Sequence, residues 1–561
     1  MTNILPIINP IFLILSIILL FLTIIKKNNM NDKENQQYNI NKKNYNTILI
    51  IILIIGIIIR IWKFGLVPGG FNQDGAMAAV DGYALAKYGT DRFGTWLPAH
   101  LYAWGYGQMS SLLSYLIALF IKLFGFNVVV SRLPQLLVSI MGGIFFYLFI
   151  KDILGKKIGL IAAIVVAINP WHFMQSRWTL DCNLLPHFFM AGLYFFNKGL
   201  STKKRYIYIS MIFFGLCMYC YGITIYTIPV FLLTIAIYYY IKKKISIKDI
   251  LISIIIYLAI SWPFILTMMV NFFKWDTIKL PFVTISYFPD SIRSNDILFF
   301  SDNIGKQLIS NLISLLGTTI YQRKDLPWND VTNFGSMYLF TMPFVYIGLI
   351  RLKKLDSNGN NFLIVSALLT GIWVGLTTNN VNINRINIIY YGIMMFATIG
   401  IYYVTTNIKN SKWIISTMYL IISLFFLNTY FNSYANEISH AFYDGFGDAV
   451  IAAEKTDANY IYITADIQST GNAAVSEILT LFYNKTDPKY FQGKTNINNG
   501  KELLPYQERY TFKSITSETV ENSKDKNTAY IIMNSDKQYF DNKEYKITDY
   551  GSYSLVIKDN Q

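Results

Sequence analysis

The chain reads as an all-α, polytopic membrane protein with a small α/β domain at its C-terminal end. Three observations predict this. The sequence is 53% hydrophobic and only 14% charged, against roughly 25% charged in ordinary soluble domains, and its mean hydropathy is +0.36. Apolar runs long enough to cross a bilayer recur from residue 4 to residue 430. Lys and Arg collect in short clusters between those runs, as cytoplasmic loops do. The 41 Tyr and 40 Phe fit the same class, because aromatic rings anchor at lipid interfaces. The net charge of +15 is no sign of nucleic-acid binding. From Glu437 onward there are 18 acidic and 13 basic residues, so the basic excess lies wholly in the apolar part.

The first run, "MTNILPIINPIFLILSIILLFLTIIKK", has no basic start, is too long for a signal peptide and lacks a small-residue cleavage site. It predicts a retained span, with residues 1–46 forming an extra span and a cytoplasmic linker. Apolar runs follow at 47–65, 109–124, 128–150, 158–174, 184–197, 206–222, 224–241, 249–270, 334–350, 361–378, 386–405 and 413–430. The basic clusters are the 26–46 linker, Lys151/Lys156/Lys157, Lys198/Lys203/Lys204/Arg205, Lys242/Lys243/Lys244/Lys248, Arg351/Lys353/Lys354 and Lys409/Lys412. Placing all of them inside allows one crossing between residues 65 and 151, yet two apolar runs lie there. The run at 109–124 is short and carries Ser110, Ser111, Ser114 and Lys122, so it is expected to lie at the outer interface. About twelve crossings remain, with both termini outside. Three outer segments result: 66–127, 271–333 and 431–561. The last mixes a helical stretch, "AFYDGFGDAVIAAEK", with strand-like "YIYITA", "AYIIM" and "YSLVI", which predicts an extracytoplasmic α/β domain over 436–561.

The chemistry-bearing residues are few. Cys217 and Cys220 form a CxxC inside an apolar run, where packing is the simpler reading, and four His without clustering predict no His-based metal site. Between Glu34 and Glu437 every acid is an Asp. Asp276, Asp290, Asp296, Asp302, Asp325 and Asp330 read as solvation of the second outer segment, and Asp81 and Asp91 belong to the first. Asp74, in "PGGFNQDGAMAAVDGYALAKYG", and Asp181, in "QSRWTLDCN", differ. Both adjoin membrane-spanning runs, where a charge is costly and a role is the default expectation. Asp74 also suits the N-cap of the helix that follows it. Isolated arginines sit at the same face: Arg132 in "SRLPQLL", Arg177 in "QSRWTLD" and Arg385 in "NINRIN". Each either caps a helix end or binds phosphate at headgroup level, a task that suits the planar guanidinium fork.

The order of these features resembles the GT-C membrane glycosyltransferases that use lipid-linked sugars, nearest the bacterial protein mannosyltransferase-like enzymes and their aminoarabinose transferase relatives. The resemblance runs from residue 47 to about 430. It is carried by the first-loop Asp, "YALAKYGTDRFGTWLP", "KLFGFNVVVSRLP", "GKKIGLIAAIVVAINPWHFMQSRWTLDCN", "DLPWND", "FGSMYLFTMPFVYIGL" and "NINRINIIYYGI". It implies a module over 47–435 in the plasma membrane with its active site at the extracytoplasmic face. The implied reaction transfers a sugar from a polyprenyl-phosphate carrier to a protein, lipid or envelope-glycan acceptor, with inversion and without a cofactor, a metal or a nucleic-acid partner. Asp74 is then the catalytic base, Asp181 a second acid, and Arg385, Arg177 and Arg132 candidates for the donor phosphate. Tyr83, Trp104, Gln108, Trp328, Asn329 and Asn384 are candidates to position acceptor or donor. Two departures stand out. The family usually carries Asp-Glu where this chain has Asp74-Gly75, and a Lys-bearing stretch where it has "LYAWGYGQM", which shifts phosphate neutralisation to the arginines. The alternatives are a lipid-sugar flippase or an inactive relative. A flippase of this size is expected to show repeated halves, and none is visible.

Overall fold

The computed structural model describes residues 4–25, 42–103, 107–289, 296–355, 359–467, 473–541 and 543–558. Helix α1 (Leu5–Ile25) and α2 (Lys42–Ile61) lead into α3 (Gln73–Tyr88). A two-stranded hairpin, β1 (His100–Tyr102) and β2 (Gln108–Ser110), precedes α4 (Leu112–Phe124). Then come α5 (Val128–Leu154), α6 (Lys156–Ile168), α7 (Pro170–Gln175), α8 (Leu185–Ser201), α9 (Arg205–Cys217), α10 (Thr224–Ile241) and α11 (Ile247–Phe273). A second hairpin, β3 (Ile278–Leu280) and β4 (Val283–Ile285), is followed by α12 (Ile304–Thr319), α13 (Met342–Arg351), α14 (Phe362–Thr377), α15 (Ile383–Ile386), α16 (Ile389–Asn407) and α17 (Ser411–Phe431).

Among the described residues, seven helices are long and apolar enough to cross a membrane: α1, α2, α5, α10, α11, α16 and α17. The chain is therefore a multi-pass membrane protein. The sequence reading expected about twelve crossings; the remaining expected spans fall on shorter helices, among them α6, α8, α9, α13 and α14. At 1.5 Å per residue, the 13 residues of α6 reach only about 20 Å of the roughly 30 Å apolar layer. The run at 158–174 is broken at Asn169, whose side chain caps α7 by accepting the His172 N–H at 3.0 Å. Helix α8 is buried along almost its whole length, so it fills the centre of the bundle. Helix α4 is likewise too short to span. It buries Leu113, Ser114, Ile117, Ala118 and Ile121 and leaves Leu119, Leu123 and Phe124 exposed, which suits an interfacial position.

The second outer segment contains α12, which the sequence reading missed. Its Lys306, Gln307 and Asn311 dilute the hydropathy, although Ile309, Leu312 and Ile313 form an exposed apolar face.

The C-terminal part carries a five-stranded mixed sheet ordered 545–550, 553–558, 528–533, 460–464, 510–513. Strand Tyr460–Thr464 runs parallel to both neighbours, and the last two strands form an antiparallel hairpin. This part docks on α3. Lys87 Nζ lies 2.6 Å from Asp487, the Tyr88 hydroxyl donates to the same carboxylate at 3.0 Å, and the Phe71 N–H donates to the Phe442 carbonyl at 2.8 Å. Phe482, on the helix Ala473–Tyr483, packs its ring on Phe71 and Phe126.

Candidate active site

A cavity of about 780 Å³ opens between the start of α3, the first hairpin, the turn at Asp181, the ends of α10 and α11, and the α14–α15 connection. Six of the residues singled out from the sequence line it: Asp74, Asp181, Arg385, Gln108, Trp328 and Asn384. Others in its wall are His100, Cys182, Tyr221, Asn271, Asp296, Thr378 and Asn382. Asp296 had been read as loop solvation. His100 gave no signal, because a lone His beside a turn has no partner visible in sequence.

Helix α3 delivers Asp74. Its N-cap is Asn72, in extended conformation, and not Asp74. Asp74 instead occupies the first turn, where a carboxylate is favoured by the unpaired N–H groups of the helix end. The Asn72 amide donates to the Thr179 carbonyl at 3.0 Å. A Cβ on Gly75 would stand 2.7 Å from Asn72 Oδ1 and 3.0 Å from the Thr179 oxygen. Gly75 thus permits the first turn of α3 to lie against the segment running into Asp181. That contact brings the two acids to one cavity.

Asp181 opens a 3₁₀ turn, Asp181–Leu184, and its Oδ1 accepts the Cys182 N–H at 2.7 Å. Arg385 sits on α15, where the Asn382 side chain caps the turn by accepting the Arg385 N–H at 3.1 Å. The Asn387 amide donates to the Cys182 carbonyl at 2.6 Å, so the Arg385 segment is tied to the Asp181 turn. The Arg385 guanidinium donates to the Asn379 carbonyl at 2.7 Å and to Asp296 Oδ2 at 3.2 Å, and remains half-buried. Burial raises the Cys182 thiol well above its ordinary range. The charges of Asp181 and Asp74 add to that rise and Arg385 opposes it, so all three act on one point of the cavity wall.

Arg132 and Arg177 have other work. Arg177 is buried and donates to the carbonyls of Arg60, Trp62, Lys63 and Val67, at 2.5, 2.9, 3.1 and 2.9 Å. Arg132, also buried, donates to the carbonyls of Pro68 and Gly70 at 2.8 Å each. Neither lines the cavity. Both forks are filled by the carbonyls of the 59–70 connection, which cannot be satisfied within a helix, so a phosphate contact does not fit their placement. Tyr83 stacks on Phe126 at 4.7 Å and Asn329 donates to Asp325 at 2.8 Å, both away from the cavity wall. Trp104 and Asp290 lie outside the described residues. Among the described residues, no three His, Cys, Asp or Glu side chains are grouped to hold a metal ion.

The cavity lies at one end of the bundle. It is lined at the start of α10 by Ile225 and near the end of α11 by Met268 and Phe272, whereas Lys242–Lys244 and Lys248 mark the other ends of those helices. An apolar helical bundle, a hairpin-bearing first loop and a terminal mixed sheet define a GT-C-type membrane fold.

The comparisons agree with that class. Residues 109–270, from β2 through most of α11, match the family model of dolichyl-phosphate-mannose-protein mannosyltransferases. The fold is similar to that of ArnT from Cupriavidus metallidurans bound to undecaprenyl phosphate, with a TM-score of 0.54 and 9% identity over 92% of this chain and 98% of that one. The apo state of the same protein aligns with a TM-score of 0.54 and 10% identity, over 91% of this chain and 97% of that one. No curated protein sequence matches the chain.

Proposed function

We propose that the protein is a membrane glycosyltransferase that takes a sugar from a polyprenyl-phosphate carrier and passes it to an acceptor hydroxyl at the extracytoplasmic face, with inversion. The observation that carries this reading is the meeting of Asp74, Asp181 and Arg385 in one cavity, at the ends of the apolar helices opposite to the Lys-rich ends. The match to dolichyl-phosphate-mannose-protein mannosyltransferases over 109–270 and the undecaprenyl phosphate named for ArnT support the donor class. The positive-inside rule supports the sidedness, since Lys-rich loops stay in the cytoplasm.

In this reading the acceptor oxygen attacks the anomeric carbon from the side opposite the phosphate. The C–O bond to the acceptor forms as the bond to the phosphate oxygen breaks, and the bonding pair leaves with the phosphate. Asp74 Oδ takes the acceptor proton during attack, which a half-buried carboxylate beside a membrane is suited to do. Arg385 holds the departing phosphate by exchanging its Asp296 contact for a phosphate oxygen. A phosphate leaves without protonation, so one base serves where glycosidases use two carboxylates. Asp181 fixes the Cys182 backbone and shapes the sugar side of the cavity.

The test is transfer from a labelled polyprenyl-phosphate sugar by purified Asp74→Asn. Asn keeps the size and polarity of the side chain but cannot take the proton. Transfer is expected to fall about 10²–10⁴-fold, the usual worth of a general base, with donor binding retained. Near wild-type transfer would remove Asp74 as the base. Donor movement across vesicles without transfer would instead make the protein a flippase.

A further inference from the structure

A second cavity, of about 790 Å³, lies between residues 91–102 and the β3–β4 hairpin with the segment after it. Its lining differs sharply from that of the apolar groove between α8, α9, α10 and α11, which is walled by Ile, Leu and Met side chains. Among the described residues, Leu280 is the only aliphatic side chain in this lining. Phe93, Trp96, Tyr102 and Tyr287 supply aromatic faces, and between them stand Asp91, Lys279 and Thr or Ser hydroxyls.

The rings are exposed yet held. Phe93 is 50% and Trp96 48% exposed. Trp96 donates its indole N–H to the Pro281 carbonyl at 2.9 Å. Phe93 lies under the Arg92 guanidinium at 4.6 Å and edge-on to Tyr102 at 5.7 Å. Arg92 is itself anchored on buried Asp81 at 2.5 Å. The Asp91 carboxylate accepts the Phe93 and Thr95 N–H groups, which fixes the turn that presents Phe93.

This cavity shares a wall with the active-site cavity. His100 lines the active site and packs edge-on against Phe288, which lines the second cavity, at 6.2 Å. Asn271, also in the active-site wall, accepts the Phe288 N–H at 2.7 Å and donates to the Ser286 carbonyl at 3.0 Å.

We propose that the second cavity is a saccharide-binding subsite that holds the glycan portion of the acceptor while its reacting hydroxyl reaches Asp74. The C–H face of a pyranose ring is apolar and weakly positive, so it stacks on the negative face of an aromatic ring. Its hydroxyls need a few fixed donors and acceptors, which exposed Lys279 and Thr277 and half-buried Thr95 and Ser286 provide. A lipid tail or an aliphatic peptide side chain calls for an aliphatic lining, which the described residues here do not form. The volume falls in the range of small-molecule sites, and the shared wall places a bound glycan next to the transfer chemistry. The inference rests on the transferase reading and names its acceptor class.

The test is saturation-transfer NMR on the full-length protein in nanodiscs, with neutral hexose and N-acetylhexosamine trisaccharides as probes at millimolar concentration. The wild type is expected to bind at least one probe. Tyr287→Ala and Trp96→Ala are expected to weaken that binding roughly five- to tenfold, the worth of a lost aromatic stack, with polyprenyl-phosphate binding unchanged. Trp96→Phe, which keeps a ring face, is expected to restore most of it, so a folding defect in Trp96→Ala is separable. Equal binding in all variants, no binding by the wild type, or binding of a tripeptide probe in place of the sugars would each overturn the subsite. Asp74→Asn separates the two readings. If it transfers normally while the sugar still binds at Trp96, the base assignment fails and the subsite stands.

Discussion

Gly75→Ala is the substitution whose effect can be worked most directly from distances. The added Cβ would stand 2.7 Å from Asn72 Oδ1, 3.0 Å from the Thr179 carbonyl oxygen and 3.1 Å from Thr179 Cβ. The Asn72 side chain can turn aside, but it would lose its 3.0 Å bond to that same carbonyl. The Thr179 backbone is restrained, because the Thr179 hydroxyl donates to the Ser131 carbonyl and the neighbouring Arg177 fork to the Arg60 carbonyl. Overpacking of this kind costs about 1–3 kcal/mol. Loss of a buried hydrogen bond adds about 1 kcal/mol, and the gain of Ala over Gly within a helix returns about 1 kcal/mol. The net is a loss of about 1–3 kcal/mol, with α3 pushed off the Asp181 segment. The expected readout is a lower melting temperature in detergent, together with a fall in kcat larger than any change in donor affinity, since Arg385 is on another element. An unchanged melting temperature with unchanged transfer would show that the α3–Thr179 contact does not set the site. Glu at this position, usual in the family, carries the same Cβ and is expected to behave no better than Ala.

Further expectations follow from the same geometry. Arg385→Lys keeps the charge and loses the fork; charge-assisted bonds are worth about 1.5–3 kcal/mol, so donor affinity measured by ligand titration is expected to weaken roughly tenfold or more. Arg177→Lys is expected to lower the melting temperature, through buried carbonyls left unsatisfied at about 1–3 kcal/mol, while the folded fraction binds donor normally; selective loss of donor binding would restore the phosphate role. Asp330 is buried in the loop after α12, and burial pushes its carboxyl up to about 6; the Asp325 N–H and the Lys324 charge oppose that rise, and the Asp325 and Glu437 charges add to it. A raised acid pKa means the folded state favours the protonated form, so its stability is full below about 3.8 and is lost as pH rises through 6. Asp330→Asn is therefore expected to melt higher than wild type at pH 7.5, by up to about 3 kcal/mol, with the gap closing towards pH 4; a gap independent of pH would refute the burial argument.

The class was legible from hydropathy, and the Lys-rich loops are what the proposed sidedness rests on. Asp74, Asp181 and Arg385 stand out in the sequence as isolated charges at the ends of apolar runs, and they line one cavity. Arg132 and Arg177 give the same signal but lie against backbone carbonyls away from it. What separates them is the path of residues 59–70, whose carbonyls point at both guanidiniums, and a chain path is tertiary information. The lengths of the helices were less legible. Hydropathy sees one run at 158–174, while the cap at Asn169 divides it into two short helices. The aromatic cavity escaped for a related reason: Phe93, Trp96 and Tyr287 are nearly two hundred residues apart at the extremes and meet only when the β3–β4 hairpin folds onto the first loop.

The parts that do not touch the cavity explain why the acids meet there. Asp74 enters on α3, and α3 is not held by a membrane span of its own. It is held from three sides. Arg132 and Arg177 collect the carbonyls of the connection that leads into it. The C-terminal part grips its far end through Asp487 and its near end through the Phe442 carbonyl. Gly75 then lets its first turn settle on Thr179. No residue after Arg385 lines the cavity among those described, so in the proposed reaction the C-terminal part would act by holding the helix that carries Asp74. The Lys87–Asp487 pair, with Lys87 exposed and Asp487 half-buried, contributes little stability alone. Together with the ring packing of Phe482 and the Phe71 bond it ties α3 and the segment leading into it to the C-terminal part. On the proposed function, the terminal domain is coupled to catalysis through geometry, without supplying a group to it.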